Sequence, residues 1–105
     1  MSMFSFLKSL FSKGPPLTEI FEKNPHVVDV RTVQEFRTGH VKGSQNIPLD
    51  QIENNLTKLS KKNVPIVLCC ASGMRSGRAT RILRKHGLEA YNGGSWQQVN
   101  QTLKR

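Results

Sequence analysis

Ile66-Val67-Leu68-Cys69-Cys70-Ala71-Ser72-Gly73-Met74-Arg75-Ser76 is the stretch whose reading decides the fold. Ile66, Val67 and Leu68 form an apolar run too short for a helix, entered from Val64-Pro65 and left at Ser72-Gly73, so it predicts a buried strand. A basic amphipathic helical pattern follows at once. Cys70 therefore falls at the C-terminal end of a strand and faces a helix N-terminus, the place where open parallel α/β sheets bind ligands. Free N–H groups and partial positive charge in the first helical turn hold anions and favour thiolate over thiol. Arg75 adds a fixed cation able to take an oxyanion in bidentate fashion. The expected device is a cysteine nucleophile in an anion cradle made by Ala71, Ser72, Gly73, Met74, Arg75 and Ser76. The competing reading is an inert core cysteine ending an apolar strand.

Length and composition set the frame. A chain of 105 residues predicts one domain with a modest core. Its two cysteines are adjacent, which gives neither a disulfide framework nor metal-ligand spacing. On a strand they point to opposite faces, so Cys69 belongs to packing and Cys70 to the loop. No metal and no cofactor is expected, and the setting expected is reducing and cytoplasmic. Lys and Arg number 16 against 7 Asp and Glu, a net charge of +9. Between Asn54 and Leu88 there is no acidic residue, whereas Lys58, Lys61, Lys62, Arg75, Arg78, Arg81, Arg84 and Lys85 all fall there. Such a field attracts small anions and acidic protein partners. Nucleic acid is not the expected partner, because no recognised nucleic-acid motif accompanies the charge.

Outward from the central stretch, residues 1–14 carry Met3, Phe4, Phe6, Leu7, Leu10 and Phe11 on one helical face. The readings are a tail, a docked helix, or weak membrane association through residues 3–11; two lysines on the polar face favour the first two. Gly14-Pro15-Pro16 reads as a stiff linker to a domain spanning 15–105. Leu17–Glu22 reads as a short helix. Val27–Val30 reads as a buried strand, followed by Thr32 as an N-cap with Glu35 closing a capping box. Asp29 and Arg31 thereby reach the same sheet edge as Cys70. Asp29 is expected to bond backbone amides of a neighbouring loop, Arg31 to pair with Glu35, and His40 to be a structural hydrogen-bonder. Ser44–Ile47 reads as a short strand, and Asp50 with Glu53 as a second capping box opening a helix. The helix after Cys70 buries Ala79, Ile82 and Leu83 and ends at His86-Gly87. Leu88–Tyr91 reads as the last strand, Asn92-Gly93-Gly94 as a turn, and Ser95 as the cap of a helix burying Trp96, Val99 and Leu103. Strands alternating with helices predict a mostly parallel sheet covered on both faces, a three-layer α/β domain.

Taken together, Asp29-Val30-Arg31, Glu35-Phe36, Gly39-His40-Val41, Gly43, Asn46-Ile47-Pro48, the loop from Cys70 to Ser76, and Asn92-Gly93-Gly94 with Trp96 follow one another in an order that resembles the rhodanese family. The resemblance covers roughly residues 17–105. It implies the compact rhodanese fold and a sulfurtransferase activity. Cys70 would take sulfane sulfur from thiosulfate or a related small anionic donor, hold it as a persulfide, and pass it to a thiol, a protein cysteine or cyanide. Asp29 and Arg31 would support the site, Arg75 would also brace the loop, and the Gly-Gly turn would help wall it. Ala71 stands where some members carry Arg, which removes one contact to the donor. Cysteine phosphatases and arsenate reductases share the fold, and the resemblance implies that their loops hold one residue more than the four between Cys70 and Arg75. A non-catalytic binding module of the same fold is the other alternative.

Overall fold

The computed structural model describes residues 15–104; the amphipathic face of residues 3–11 and the Gly14 end of the linker lie outside them. Four parallel strands form one sheet: β1 (His26–Asp29), β2 (Gln45–Asn46), β3 (Ile66–Cys70) and β4 (Ala90–Ser95), in the spatial order β2-β1-β3-β4. The helices are α1 (Leu17–Phe21), α2 (Val33–Arg37), α3 (Leu56–Ser60), α4 (Met74–Lys85) and α5 (Trp96–Leu103). Every residue of β3 is buried, as expected of a central strand covered on both faces.

Alternation along the strands divides the core in two. Val28, Leu68 and Cys70 look to one side, where Ile52, Leu59, Ala79 and Leu83 of the α3–α4 layer meet them. Val27, Val67 and Cys69 look to the other, against Ile20 of α1, Val41 and Val99 of α5. Burying a side chain such as Ile52 or Leu68 stabilises the domain by about 1.5–3 kcal/mol. Because the strands are parallel, Asp29, Cys70 and Ser95, the last residues of β1, β3 and β4, finish at one sheet edge.

Two capping boxes form as the sequence predicts. Thr32 Oγ1 accepts from the Glu35 N–H (3.2 Å) while the Thr32 N–H donates to Glu35 Oε1 (3.0 Å). Ser95 and Gln98 repeat the pattern at α5. Elsewhere the sequence reading needs correction. Asp50 and Glu53 make no capping box: the chain enters from Pro48 as two 3₁₀ turns, Leu49–Gln51 and Glu53–Asn55, before α3 begins. The strand expected over Ser44–Ile47 pairs only through Gln45 and Asn46. Leu103, assigned to the buried stripe of α5, is exposed. The last strand starts at Ala90 and runs through Asn92-Gly93-Gly94 to Ser95, so the expected turn is sheet. Pairing with β3 shifts register there, Leu68 opposite Asn92 but Cys69 opposite Gly94, which leaves Gly93 as the extra residue of a bulge. A Cβ on Gly93 would stand 2.6 Å from Val99 Cγ2 and 2.9 Å from Val67 Cγ1, so only glycine permits this approach of α5 to the sheet.

Candidate active site

At the end of β3 the chain turns through Ala71, Ser72 and Gly73 into α4. Gly73 holds a left-handed conformation (φ +97°), and a Cβ there would press on Gly94 Cα at 3.2 Å. The turn folds the first residues of α4 back over the cysteine. The Gly73 N–H donates to Cys70 Sγ at 3.0 Å and the Ser76 N–H at 3.5 Å, while the Ser76 hydroxyl lies 3.4 Å away, its one proton shared between this sulfur and Asn92 Oδ1. Gly73 has no side chain to cap α4, and the cysteine sulfur occupies that place. Burial opposes charge on this sulfur. The Ser76 hydroxyl, with the N–H groups of Ser76, Gly73 and Ser72, outweighs burial and brings the thiol below its ordinary value.

Cys69, one residue earlier, shows what burial does without those donors. It faces the opposite core layer, and burial, with the Asp29 charge second, pushes its thiol up to about 12. Strand alternation thus separates an acidic thiol from an inert one.

Cys70 itself has no exposed surface. A reactant meets the sulfur only as the loop gives way. Ala71 and Ser72 are exposed, and Met74 is 79% exposed at its outer lip. These three offer backbone and rim rather than side-chain contacts to the sulfur.

Of the two roles expected of Arg75, the structure shows the brace. Its guanidinium fork is spent on Glu35, Nη1 to Oε1 at 2.7 Å and Nη2 to Oε2 at 2.9 Å, so it braces the loop against α2 instead of waiting for an oxyanion. Arg75, and next the Thr32 N–H, hold the Glu35 carboxylate down at about 2. The expected Arg31–Glu35 ion pair is replaced accordingly. Arg31 is buried and pairs with buried Asp29, Nη2 to Oδ2 at 2.7 Å and Nε to Oδ1 at 2.9 Å. Asp29 therefore bonds Arg31, including its N–H at 3.0 Å, rather than the amides of another loop. The Arg31 guanidinium also donates to Gly39 O (2.7 Å) and Glu35 O (3.2 Å) and lies 5.2 Å from the centre of the Trp96 ring. A buried charge fixed on both sides this way ties the β1, α2 and α5 ends together. His40 Nδ1 bonds Phe36 O at 2.7 Å, the structural role expected of it.

Asn92 joins the site from β4, unassigned in the sequence reading beyond its place in the Asn-Gly-Gly run. Its Nδ2 donates to Gly73 O (3.0 Å), and its Oδ1 accepts from the Ser76 hydroxyl (2.7 Å) and the Gly94 N–H (3.0 Å). It orients the hydroxyl that faces the sulfur. It stands opposite Leu68 in regular register, one residue before the bulge at Gly93. Among the described residues no cluster of His, Cys, Asp and Glu could hold a metal ion, and no helix is long and apolar enough to cross a membrane.

A parallel α/β sheet with a thiol-bearing loop at the C-terminal end of a central strand, closed over by the next helix, defines a class of cysteine-loop domains. Within that class the family is settled by comparison: a family model for the rhodanese-like domain matches residues 16–101, and the chain belongs to that family. The Bacillus subtilis (strain 168) protein YqhL is 39% identical over 71 residues, covering 67% of this chain and 56% of that protein. Thiosulfate sulfurtransferase PspE of Escherichia coli (strain K12) is 35% identical over 63 residues, covering 59% of this chain and 61% of that one. The chain thus spans little more than half the length of these two relatives. The crystal structure of a rhodanese-like domain protein from Staphylococcus aureus superposes with a TM-score of 0.65 at 29% identity, over 90% of this chain and 83% of that one.

Proposed function

We propose that this chain is a sulfurtransferase working through a persulfide on Cys70. The Cys70 thiolate attacks the outer sulfur of thiosulfate or a related small anionic donor. A new S–S bond forms, the donor's own S–S bond breaks, and sulfite leaves with the bonding pair. A thiol, a protein cysteine or cyanide then attacks the terminal sulfur, and Cys70 departs as thiolate, ready for another cycle. The observation that carries this reading is the position of Cys70 Sγ under the Gly73 and Ser76 N–H groups and the Ser76 hydroxyl. Those donors stabilise the thiolate before the first step and again when it leaves. The name of the Escherichia coli relative supports the same chemistry.

A phosphatase or arsenate reductase reading fits less well. A tetrahedral oxyanion has four oxygens to satisfy, the loop offers only four residues between Cys70 and Arg75, and the Arg75 fork is already bound to Glu35. The test is a side-by-side assay with thiosulfate plus cyanide and with an aryl phosphate. Thiocyanate should form, be lost in Cys70→Ser and persist in Cys69→Ala. Cys70-dependent phosphate release without any thiocyanate would overturn the reading.

A further inference from the structure

A second cleft, of about 460 Å³, lies along the outer side of α4, between that helix, β4 and the start of α1. Its lining includes Pro15, Leu17, Arg81, Arg84, Tyr91 and Asn92, and no carboxylate. Arg81 and Arg84 are three residues apart on α4 and so share a face. Arg84 is fixed in place: its Nε donates to Ala90 O at 2.7 Å, and its guanidinium lies 5.5 Å from the centre of the Tyr91 ring. That leaves the terminal nitrogens of the fork to other partners, already oriented. Among the described residues the ion-paired side chains are Arg31 with Asp29 and Arg75 with Glu35, so neither arginine of the cleft has a carboxylate partner there. The neighbouring Glu89 accepts the Tyr91 hydroxyl at 2.7 Å. Over Gly77, the Arg81 Nη1 and the Asn92 amide nitrogen approach from two sides, 3.8 and 3.2 Å from where a Cβ would sit, so the missing side chain keeps this floor open.

Two guanidinium groups line one cleft with no ion-pair partner among the described residues, one of them held by Ala90 O and the Tyr91 ring; they suit a multiply charged oxyanion, and Pro15, Leu17 and Tyr91 add an apolar margin. We propose that this cleft, which shares Asn92 with the Cys70 loop but is open on the opposite side of it to Arg81 and Arg84, is a second anion site that takes a phosphate-type group.

The test uses the full chain, isotopically labelled, titrated with inorganic phosphate and separately with phenyl phosphate while amide shifts are followed. Chloride at matched ionic strength is the control. Saturable shifts centred on Arg81, Arg84 and Tyr91 are expected with either probe. Arg81→Gln, an exposed change that removes no hydrogen bond among the described residues, should weaken binding about tenfold or more. Arg84→Lys, which keeps charge and loses the fork, should weaken it less. Tighter binding of phenyl phosphate assigns the site to an organic phosphate, and equal binding to the free anion. Cys70→Ser should bind like the parent protein, so the result stands apart from the persulfide chemistry. Shifts that chloride reproduces, shifts centred on residues 71–76, or unchanged affinity in Arg81→Gln would overturn the proposal.

Discussion

Replacing Ser76 by Ala removes one of the donors to the Cys70 sulfur and leaves the backbone N–H donors in place. A hydrogen bond to a charged acceptor contributes about 1.5–3 kcal/mol, and at 3.4 Å, with its proton shared with Asn92 Oδ1 at 2.7 Å, this one contributes no more than the weak end. A loss of about 1.4 kcal/mol from the thiolate alone raises the thiol pKa by about one unit. Asn92 Oδ1 keeps its bond from the Gly94 N–H, so no acceptor is orphaned and the fold should lose only about 1 kcal/mol. The assay is the pH dependence of alkylation by iodoacetamide. Cys69, buried and titrating at about 12, does not contaminate the profile. The parent protein should show a midpoint below the ordinary thiol value, and Ser76→Ala a higher midpoint, by up to about one unit. Absolute rates should be slow for so acidic a thiol in both proteins, because the sulfur has no exposed surface. An unshifted midpoint in a folded Ser76→Ala protein would refute the assignment of the hydroxyl to thiolate support.

Glu35→Gln should lower both stability and turnover by loosening Arg75 from α2. The pair is about one-third exposed, so screening limits the stability loss to about 1 kcal/mol near neutral pH, readable by urea denaturation. Glu35 titrates lower in the folded chain than in the unfolded one. Its contribution is therefore present above the ordinary carboxylate value of 4.5 and lost as pH falls toward about 2, where the variant and parent should converge. Gly93→Ala should cost about 1–3 kcal/mol through overpacking against Val99 and Val67, lowering the thermal midpoint; an unchanged midpoint would mean α5 shifts freely.

The parts of this fold legible in the sequence are those fixed by local signals. The apolar run of β3, the Thr32–Glu35 and Ser95–Gln98 boxes and the apolar stripe of α4 each announce themselves within a few residues. Alternation also separates Cys69 from Cys70 without any knowledge of the sheet. What stayed hidden depends on distant chain. The charges Asp29, Arg31, Glu35 and Arg75 suggest a pairing of near neighbours, yet Glu35 is drawn to a residue 40 positions away because α2 and the Cys70 loop end at one sheet edge. Asn92-Gly93-Gly94 has turn composition, but the glycines serve close packing and a bulge inside β4. Asp50 and Glu53 have the spacing of a capping box, and the approach from Pro48 gives 3₁₀ turns instead.

The most direct test of the persulfide account is mass spectrometry of the intact protein and its peptides after incubation with thiosulfate. The account predicts the mass of one added sulfur atom on the peptide containing Cys69 and Cys70, removed by cyanide or a thiol, absent from Cys70→Ser and retained by Cys69→Ala. Addition that survives Cys70→Ser, or thiocyanate formation with no sulfur ever found on the folded protein, would contradict it.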